Sequence, residues 1–586
     1  MIFLQLFDKK NVLLDIYAKA VTGQAEWGVK RDNSSIYKAR VVRDDFDWGE
    51  NGQPLIPMED LIIYEMHVRG FTMDPTSKAV HPGTFAGILD KLDYLKDLGV
   101  NAIELMPIFE FDELEAERYV DGNRLLNYWG YNTVGFFAPN TSYASAKEHH
   151  REGNELKNVI KTLNENGIEV ILDVVFNHTA EGDHRGPVFS FKGYDKDIYY
   201  MDTPEGYYYN FSGCGNTMNC NHPVVRQMIL DCLRHWVVEY RVDGFRFDLA
   251  SILGRDENGC PMSAPPLLEL LAHDPILSKV KLIAEAWDAG GLYQVGTFPS
   301  WKRWAEWNGR YRDDMRRFLK SDEGLGEIAV RRITGSADIY DTNIRGDASV
   351  NFLTCHDGFT LYDLYAYNYK HNEANGWNGT DGCNDNHSWN CGEEGETKNP
   401  GVLSLRERMR RNAFTVLMMS RGAAMFLAGD EFGNTQFGNN NAYCQDNRIS
   451  WLDWSLLKKN KEFHAYVKEL IAFRKAHPVV RGKTAPAMCG LPDVSIHNTH
   501  AWNGDFAHDT RVIGLMYAGR NAENTEDDIV FLAMNMYWED REQFLPIPPD
   551  GRRWSLVFDT SNHAQFHTQE GRLVLPPRSI MVLSAL

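Results

Sequence analysis

Four short segments of this chain each place an acidic residue at the end of an apolar, β-prone run. They are Ile171–His178, Gly244–Ser251, Leu282–Asp288 and Asn351–Asp357. A carboxylate at the carboxyl end of a buried strand is poorly placed for stability, because burial opposes its charge. Repeated in order along a long α/β chain, the pattern predicts a barrel whose strands direct acids to one face.

The order of predicted elements supports that architecture. From Leu61 the chain alternates between strand, loop and helix. The predicted strands are Leu61–Val68, Asn101–Met106, Glu169–Val175, Gly244–Leu249, Lys281–Glu285, Trp307–Arg310, Val350–His356 and Ala424–Ala428. The predicted helices are Thr84–Leu98, with Thr84 as N-cap and Gly99 as stop, then Glu152–Asn166, His222–Tyr240, Asp313–Lys320 and Ser404–Ser420. Eight such strand–helix units predict an α/β protein with a (β/α)8 TIM barrel and long loop inserts rather than a doubly wound sheet. No Gly-rich phosphate loop follows the first strand, which argues against nucleotide binding.

The chain divides into three predicted parts. Residues 1–58 hold an acidic stretch and two prolines but no convincing domain, so they are interpreted as a linker or the tail of a larger unit. The barrel is predicted over 59–480, and its long aromatic and polar inserts are expected to carry function: 109–165, 179–221 and 367–400. Over 481–586, alternating runs separated by turn residues predict an antiparallel β-sandwich with strands at Val512–Tyr517, Ile529–Met534, Ser555–Phe558 and Arg572–Leu575.

Composition and charge exclude some classes of partner. The formal net charge is −20, which disfavours binding to nucleic acid or to an anionic membrane surface. No apolar run approaches the roughly 20 residues that span a bilayer, and Met1–Phe7 lacks the basic start and cleavage site of a signal peptide. The nine cysteines show no zinc spacing, so reduced thiols in a cytoplasmic protein are expected. Loop disulfides Cys214/Cys220 and Cys383/Cys391 remain an alternative for an exported protein.

Aromatic residues make up 12% of the chain, and many lie in Gly- and Asn-rich loops. Such rings suit sugars, whose C–H faces stack on aromatic rings while their hydroxyls form hydrogen bonds. For any single tryptophan, packing is the commoner role. Trp301, Trp304 and Trp307 recur every third residue, which is more typical of a packed stripe than of a sugar platform, and they receive no assignment.

The predicted barrel brings four acids to one pocket. Asp173, Asp248, Glu285 and Asp357 would end strands three, four, five and seven. Carboxylates this close repel each other, so one should keep its proton beside an ionised neighbour. Glycoside hydrolysis requires that pairing, because an acid protonates the leaving oxygen while a carboxylate meets the oxocarbenium-like centre.

Neighbouring residues agree with that chemistry. Arg246 and Asp248 are two apart, so both side chains point to the same side of the strand, and the guanidinium would orient an ionised Asp248. His178 and His356 could donate hydrogen bonds to sugar hydroxyls. Each of these residues alone has an ordinary structural explanation, such as a cap, an ion pair or a satisfied loop residue. The ordered set is what favours catalysis.

The ordered set resembles the signature regions of glycoside hydrolase family 13, the α-amylase family. The matching stretches are Asp-Val-Val-Phe-Asn-His, Gly-Phe-Arg-Phe-Asp, Glu-Ala-Trp and His-Asp. Within that family, four stretches are similar to the isoamylase and glycogen-debranching branch: Tyr64–Phe71, Tyr128–Asn132, Ser212–Thr217 and Lys281–Pro299. The resemblance covers roughly residues 59–480, and the segment after it is similar to the family's C-terminal domain.

The resemblance implies a role for each matching residue. Asp248 would be the nucleophile, Glu285 the general acid and then base, and Asp357 a binder of sugar hydroxyls that helps distort the ring. The remaining residues would line or support the site of the cleaved glucose: Tyr131 by stacking, Asp173 from beneath, and Arg246, His178 and His356 at its walls. The reaction would proceed with retention, with the two working carboxyls about 5–5.5 Å apart.

Two departures from the family pattern bear on function. Relatives carry a complete carbohydrate-binding module before the barrel, whereas Leu13–Gly23 resembles only the segment that follows it, so 1–58 is interpreted as a remnant of that module and its linker. Many α-amylases hold calcium through the residue that matches Asn177, but no oxygen-rich ligand set is evident here. We expect neither an essential metal nor a cofactor.

The resemblance therefore predicts a cytoplasmic hydrolase that cuts α-1,6 branch linkages in branched α-glucan: glycogen, amylopectin or limit dextrins. The alternatives are an enzyme of the same family that acts on α-1,4-glucan, on trehalose-ended oligosaccharides or as a branching enzyme, and a non-catalytic glucan-binding subunit. The presence of Asp248, Glu285 and Asp357 argues against the last.

Overall fold

The architecture is given by a computed structural model, which describes residues 12–23, 26–29, 37–43, 45–50, 52–146, 151–340, 348–482, 484–561 and 571–586. The apolar start Met1–Phe7 and Asp44 of the acidic stretch lie outside those residues, so the expectations placed on them stay predictions. In the described ranges, every helix is too short or too polar to span a bilayer.

Eight parallel strands close into a barrel, and each pairs with the next along the chain until the last meets the first. In chain order they are β1 Ile62–Met66, β2 Ala102–Leu105, β3 Glu169–Val174, β4 Gly244–Phe247, β5 Lys281–Ala284, β6 Ala305–Trp307, β7 Ser349–Phe352 and β8 Ala423–Leu427. The predicted (β/α)8 barrel is confirmed, and the four acidic segments follow strands three, four, five and seven as expected.

Two predicted elements differ from the structure. The strand expected at Trp307–Arg310 lies at Ala305–Trp307 instead, because the Asn308 side chain accepts a hydrogen bond from the Tyr311 N–H at 2.9 Å and starts a helix there. The single helix expected over Thr84–Leu98 is two helices, since Lys91 leaves helical geometry with φ −116° and ψ 12°. Both predicted ends hold: Thr84 caps the first helix, and Gly99 stops the second at φ +90°.

The α-helices cover the outside of the barrel or lie in the inserts. They are Val68–Thr72, Phe85–Leu89, Leu92–Leu98, Arg151–Glu165, Phe191–Tyr199, Pro223–Tyr240, Pro266–His273, Gly309–Leu319, Gly326–Ile333, Leu361–Leu364, Pro400–Met419, Ser455–Lys459 and Lys461–Ala476. The first insert also carries two antiparallel strand pairs, Phe109–Phe111 with Thr133–Pro139 and Arg118–Val120 with Asn123–Leu125.

An antiparallel sheet domain follows the barrel. Its strands are β9 Val494–His497, β10 Val512–Arg520, β11 Asp527–Asn535, β12 Arg541–Phe544, β13 Trp554–Asp559, β14 Arg572–Leu575 and β15 Ser579–Ala585. Five of them form one sheet in the order β9-β10-β11-β15-β13, and β12 pairs with β14. Every strand predicted here from alternating apolar residues is present.

The barrel interior is apolar toward one end and ionic toward the other. Side chains of alternate strand residues form an inner cluster that includes Ile63, Ala102, Ile171 and Ile283. Residues two further along each strand face the same side. Those positions hold Glu65, Glu104, Asp173 and Glu285, so a ring of carboxyls lies on top of an apolar plug at the carboxyl ends of the strands.

Candidate active site

Arg246 is the centre of the ionic ring. Its side chain is fully buried, and Nη1 donates to both Asp173 oxygens at 2.9 Å and to Asp248 Oδ1 at 3.2 Å. Its Nη2 forms an ion pair with Glu285 Oε1 at 3.0 Å. The guanidinium carbon lies 4.1 Å from the centroid of the Trp307 ring, which fixes its plane. One cation therefore holds three carboxyls from three neighbouring strands in a common geometry.

Asp248 is partly open to the cleft, with 13% of its side chain exposed. The Asn177 amide donates to Asp248 Oδ2 at 2.7 Å and to its backbone oxygen at 2.9 Å. Leu249, the next residue, has the left-handed backbone φ of 42°, which turns the chain away directly after the acid. Arg246 and Asn177 thus hold Asp248 from two sides by donating hydrogen bonds to it. The rest of its side chain stays open to the cleft.

Glu285 is the acid that keeps its proton near neutral pH. Its Oε2 accepts a hydrogen bond from the Leu249 N–H at 2.6 Å. Burial raises the pKa of Glu285, the Arg246 guanidinium lowers it, and the nearby Asp248 charge raises it, so that the net pKa is about 8. Burial, reinforced by the neighbouring carboxylates, therefore favours a protonated Glu285 beside Asp248.

His356 and Tyr131 form a second linked group. Glu65 accepts from the backbone N–H of His356 at 2.8 Å and lies 2.6 Å from its Nδ1. Burial lowers the pKa of His356, but the Glu65 carboxylate outweighs it, so the net pKa is raised above 6.5. The Tyr131 hydroxyl donates to Asp173 Oδ2 at 2.6 Å and lies 2.9 Å from His356 Nε2, which joins this group to the Arg246 cluster.

His178 joins the site through two amides. Its Nδ1 lies 2.6 Å from Asn177 Oδ1, and its Nε2 lies 2.9 Å from Asn132 Oδ1. Burial lowers the pKa of His178 to about 4, so the imidazole is neutral at physiological pH. Asn177 thus bridges His178 and Asp248.

Asp357 stands apart from the other predicted site residues. It follows β7 at the same end of the barrel, but its side chain is exposed. Across the described ranges, no hydrogen bond or ion pair joins the Asp357 carboxylate to the other site residues named from the sequence. The structure places it at the rim of the cleft rather than in the ionic ring.

Sequence reasoning missed two acids of the ring, Glu65 and Glu104. Both oxygens of the fully buried Glu104 find no hydrogen-bond partner among the described residues. Burial raises the pKa of Glu104 well above its usual range, and Glu65 and Asp173 reinforce the shift. Both glutamates sit near the ends of predicted strands, so the criterion that found Asp173 and Asp248 would have found them too.

The arrangement supports acid and nucleophile chemistry. In the described part of the chain, no cluster of three or more His, Cys, Asp or Glu side chains has the geometry to hold a metal ion. Asp248 and Glu285 share one guanidinium, and rings of Tyr131, Trp129 and His356 line the adjoining surface. The cleft therefore offers a sugar ring both the acid–base pair and the stacking surface that glycoside cleavage needs.

Comparison with known proteins agrees with this reading. The profile described as "Alpha amylase, catalytic domain" matches residues 44–205. "Isoamylase 3, chloroplastic" of Oryza sativa subsp. japonica is 47% identical over 567 residues, which cover 95% of this chain and 71% of the relative. The chain belongs to the α-amylase family.

Other relatives narrow its place in that family. The "Glycogen operon protein GlgX homolog" of Mycobacterium tuberculosis (strain ATCC 25618 / H37Rv) is 42% identical over 628 residues, covering 98% of this chain and 85% of the relative. A crystal structure of pullulanase complexed with maltotetraose from Anoxybacillus sp. LM18-11 superposes with a TM-score of 0.73 at 25% identity, covering 98% of this chain and 77% of that chain. The protein is a glycoside hydrolase of the isoamylase and glycogen-debranching group.

Proposed function

We propose that the protein hydrolyses α-1,6 branch linkages in glycogen, amylopectin or limit dextrins, with retention at the anomeric carbon. The observation that carries the proposal is the pairing of Asp248 and Glu285 on one buried guanidinium. Arg246 contacts the first at 3.2 Å and the second at 3.0 Å through different nitrogens. Two carboxyls bound to adjacent nitrogens of one guanidinium suit the double-displacement mechanism, for which a separation of about 5–5.5 Å is typical.

In the first step an Asp248 oxygen attacks C1 of the glucose at the branch. The C1–oxygen bond to the acceptor chain breaks, and Glu285 gives its proton to the departing C6 oxygen. In the second step the now ionised Glu285 takes a proton from water. The resulting hydroxide oxygen displaces Asp248 from C1, which restores both carboxyls and leaves an α-configured product.

The remaining site residues serve to bind and orient in this proposal. Tyr131 stacks on the cleaved glucose, and His356 and His178 bind its hydroxyls. Asp173, held by Arg246 and Tyr131, supports the site from beneath. Asp357 binds sugar hydroxyls from the exposed rim and helps distort the sugar ring. Its side chain is available for this role because it is exposed and bonds to none of the other site residues.

The printed names of the relatives support the substrate class. They include isoamylases and glycogen operon proteins, and one structural neighbour holds maltotetraose. In this proposal the chain is divided into 1–58, 59–480 and 481–586, and the catalytic groups all lie in the middle part. Nine free thiols suit a reducing compartment, which supports a cytoplasmic location.

A digest of glycogen or amylopectin, with products resolved by chain length, tests the proposal. Debranching releases linear α-1,4 chains and increases iodine colour. Short maltooligosaccharides with falling iodine colour would assign the protein to α-1,4 hydrolysis. New α-1,6 linkages would make it a branching enzyme, and absence of any product from a folded protein would overturn catalysis altogether.

A further inference from the structure

Trp377 is a tryptophan with half of its side chain exposed, yet it is firmly held. Its Nε1 donates to the Tyr443 hydroxyl at 2.8 Å. The Arg118 guanidinium carbon lies 5.1 Å from the centroid of its ring, and Arg118 Nη2 donates to the same Tyr443 hydroxyl at 2.8 Å. Two of the loop inserts and the loop after β8 therefore meet at this ring, and its orientation is fixed while one side stays open to solvent.

A buried amide network fixes the loop that carries Trp377. Asn375 is fully buried, and its Nδ2 donates to Asp381 and to the backbone oxygen of Asn441, each at 2.8 Å. Its Oδ1 accepts from Gln445 Nε2 at 2.8 Å. The next residue, Gly376, has φ +79°, and a Cβ there would meet Val120 Cγ2 at 2.6 Å. Loops with an exposed tryptophan are ordinarily mobile, so this ordering needs a reason other than core packing.

A continuous line of rings connects Trp377 with the candidate active site. The Tyr443 ring lies 6.3 Å from the Trp129 ring, and the backbone N–H of Trp129 donates to the Tyr443 backbone oxygen at 3.2 Å. Trp129 in turn lies 4.9 Å from His356 and 6.1 Å from Tyr131. The aromatic surface thus begins at the reacting sugar and ends at an exposed ring.

We propose that Trp377 is a stacking platform for a linear α-1,4-linked glucose strand that leaves the branch point across Trp129 and Tyr443. A sugar ring presents an apolar C–H face that packs on an aromatic ring, and an ordered platform binds it without a further entropy cost. This inference rests on the proposed function, since it names what fixes the length of chain that the enzyme accepts.

The test uses Glu285→Gln protein, which binds but does not turn over, and linear maltooligosaccharides of increasing length as probes in calorimetry. Affinity should rise with the length of the oligosaccharide until a glucose reaches Trp377. Trp377→Ala should remove the gain in affinity from that last glucose, a loss of roughly three- to tenfold. Trp377→Phe retains a ring and recovers most of it. Trp502→Ala, which alters an equally exposed tryptophan of the C-terminal sheet domain, leaves the length series unchanged.

Equal affinities of the parent and Trp377→Ala proteins at every length would overturn the platform. In the active enzyme, Trp377→Ala raises KM for long-branched substrate and leaves kcat unchanged, whereas a merely structural role would lower kcat or stability. The two proposals fail separately. An enzyme that debranches with an unchanged product profile in Trp377→Ala refutes the platform alone, and one that binds through Trp377 but releases no linear chains refutes the proposed function.

Discussion

Replacing Glu65 by Gln tests whether this buried carboxylate of the first barrel strand controls His356 in the substrate site. Glu65 accepts from both the backbone N–H and the Nδ1 of His356, at 2.8 and 2.6 Å, and the two side chains are only 1% and 7% exposed. Gln has one oxygen for these two donors and carries no charge. The loss of a buried bond to a charged group is worth about 1.5–3 kcal/mol, which corresponds to about a tenfold to hundredfold fall in kcat/KM.

The substitution also has a pH signature of known sign. Glu65 raises the pKa of His356 above 6.5, so its stabilising effect is complete below pH 6.5 and is lost as pH rises through the folded value. Without Glu65, burial and the Arg246 charge lower the pKa of His356, and Asp173, which raises it, has the smaller effect. Its positive charge is then lost at lower pH, and the alkaline limb of kcat/KM shifts toward acid.

The assay is the pH profile of kcat/KM on a branched glucan for four proteins: parent, Glu65→Gln, His356→Asn and the double variant. In the His356→Asn background, Glu65→Gln should move the alkaline limb no further, because the imidazole that Glu65 contacts is gone and the limb then belongs to Glu285. An alkaline limb for Glu65→Gln that coincides with that of the parent would refute the reasoning, as would an equal acid shift in both backgrounds.

Three further predictions follow from the same geometry. Glu285→Gln should lose several powers of ten in activity on branched glucan. It should still form the covalent intermediate from α-glucosyl fluoride, because fluoride departs without a proton. An equal loss of activity on both substrates would exclude Glu285 as the acid. Asn177→Ala removes the 2.7 Å hydrogen bond to Asp248 Oδ2 and should lower kcat about tenfold to hundredfold with little change in KM, and unchanged kcat would show that the bond does not orient the nucleophile. Proton NMR of a fast digest should show new reducing ends first as the α anomer, whereas β anomers would indicate inversion.

Much of the barrel and its acids could be predicted because the relevant signals are local. Each core strand is a short apolar run bounded by turn residues, and closure of the barrel places every strand end on one face. Asp173, Asp248 and Glu285 could therefore be grouped from three distant segments. Thr84 and Gly99 marked helix ends for equally local reasons, a side-chain cap and a left-handed φ.

The parts that could not be predicted depend on long-range geometry. Arg246 was assigned to Asp248 alone, but barrel register also brings it to Asp173 and Glu285. Glu65 lies beside Glu104 in the ladder and reaches His356 only because closure of the barrel places the first and seventh strands on either side of the eighth. The tryptophans at 301, 304 and 307 receive no role from the sequence; Trp304 and Trp307 are buried, and Trp307 lies against the central guanidinium.

The most direct test of the account is to find the carboxylate that becomes glucosylated. An activated fluoro-sugar, whose glucosyl–enzyme ester hydrolyses slowly, is incubated with the enzyme, and the digest is read by mass spectrometry. We predict one label per chain, on Asp248, and none in a folded Asp248→Asn variant. A label on Glu285 or Asp357, or turnover of branched glucan by pure Asp248→Asn protein, would contradict the central claim.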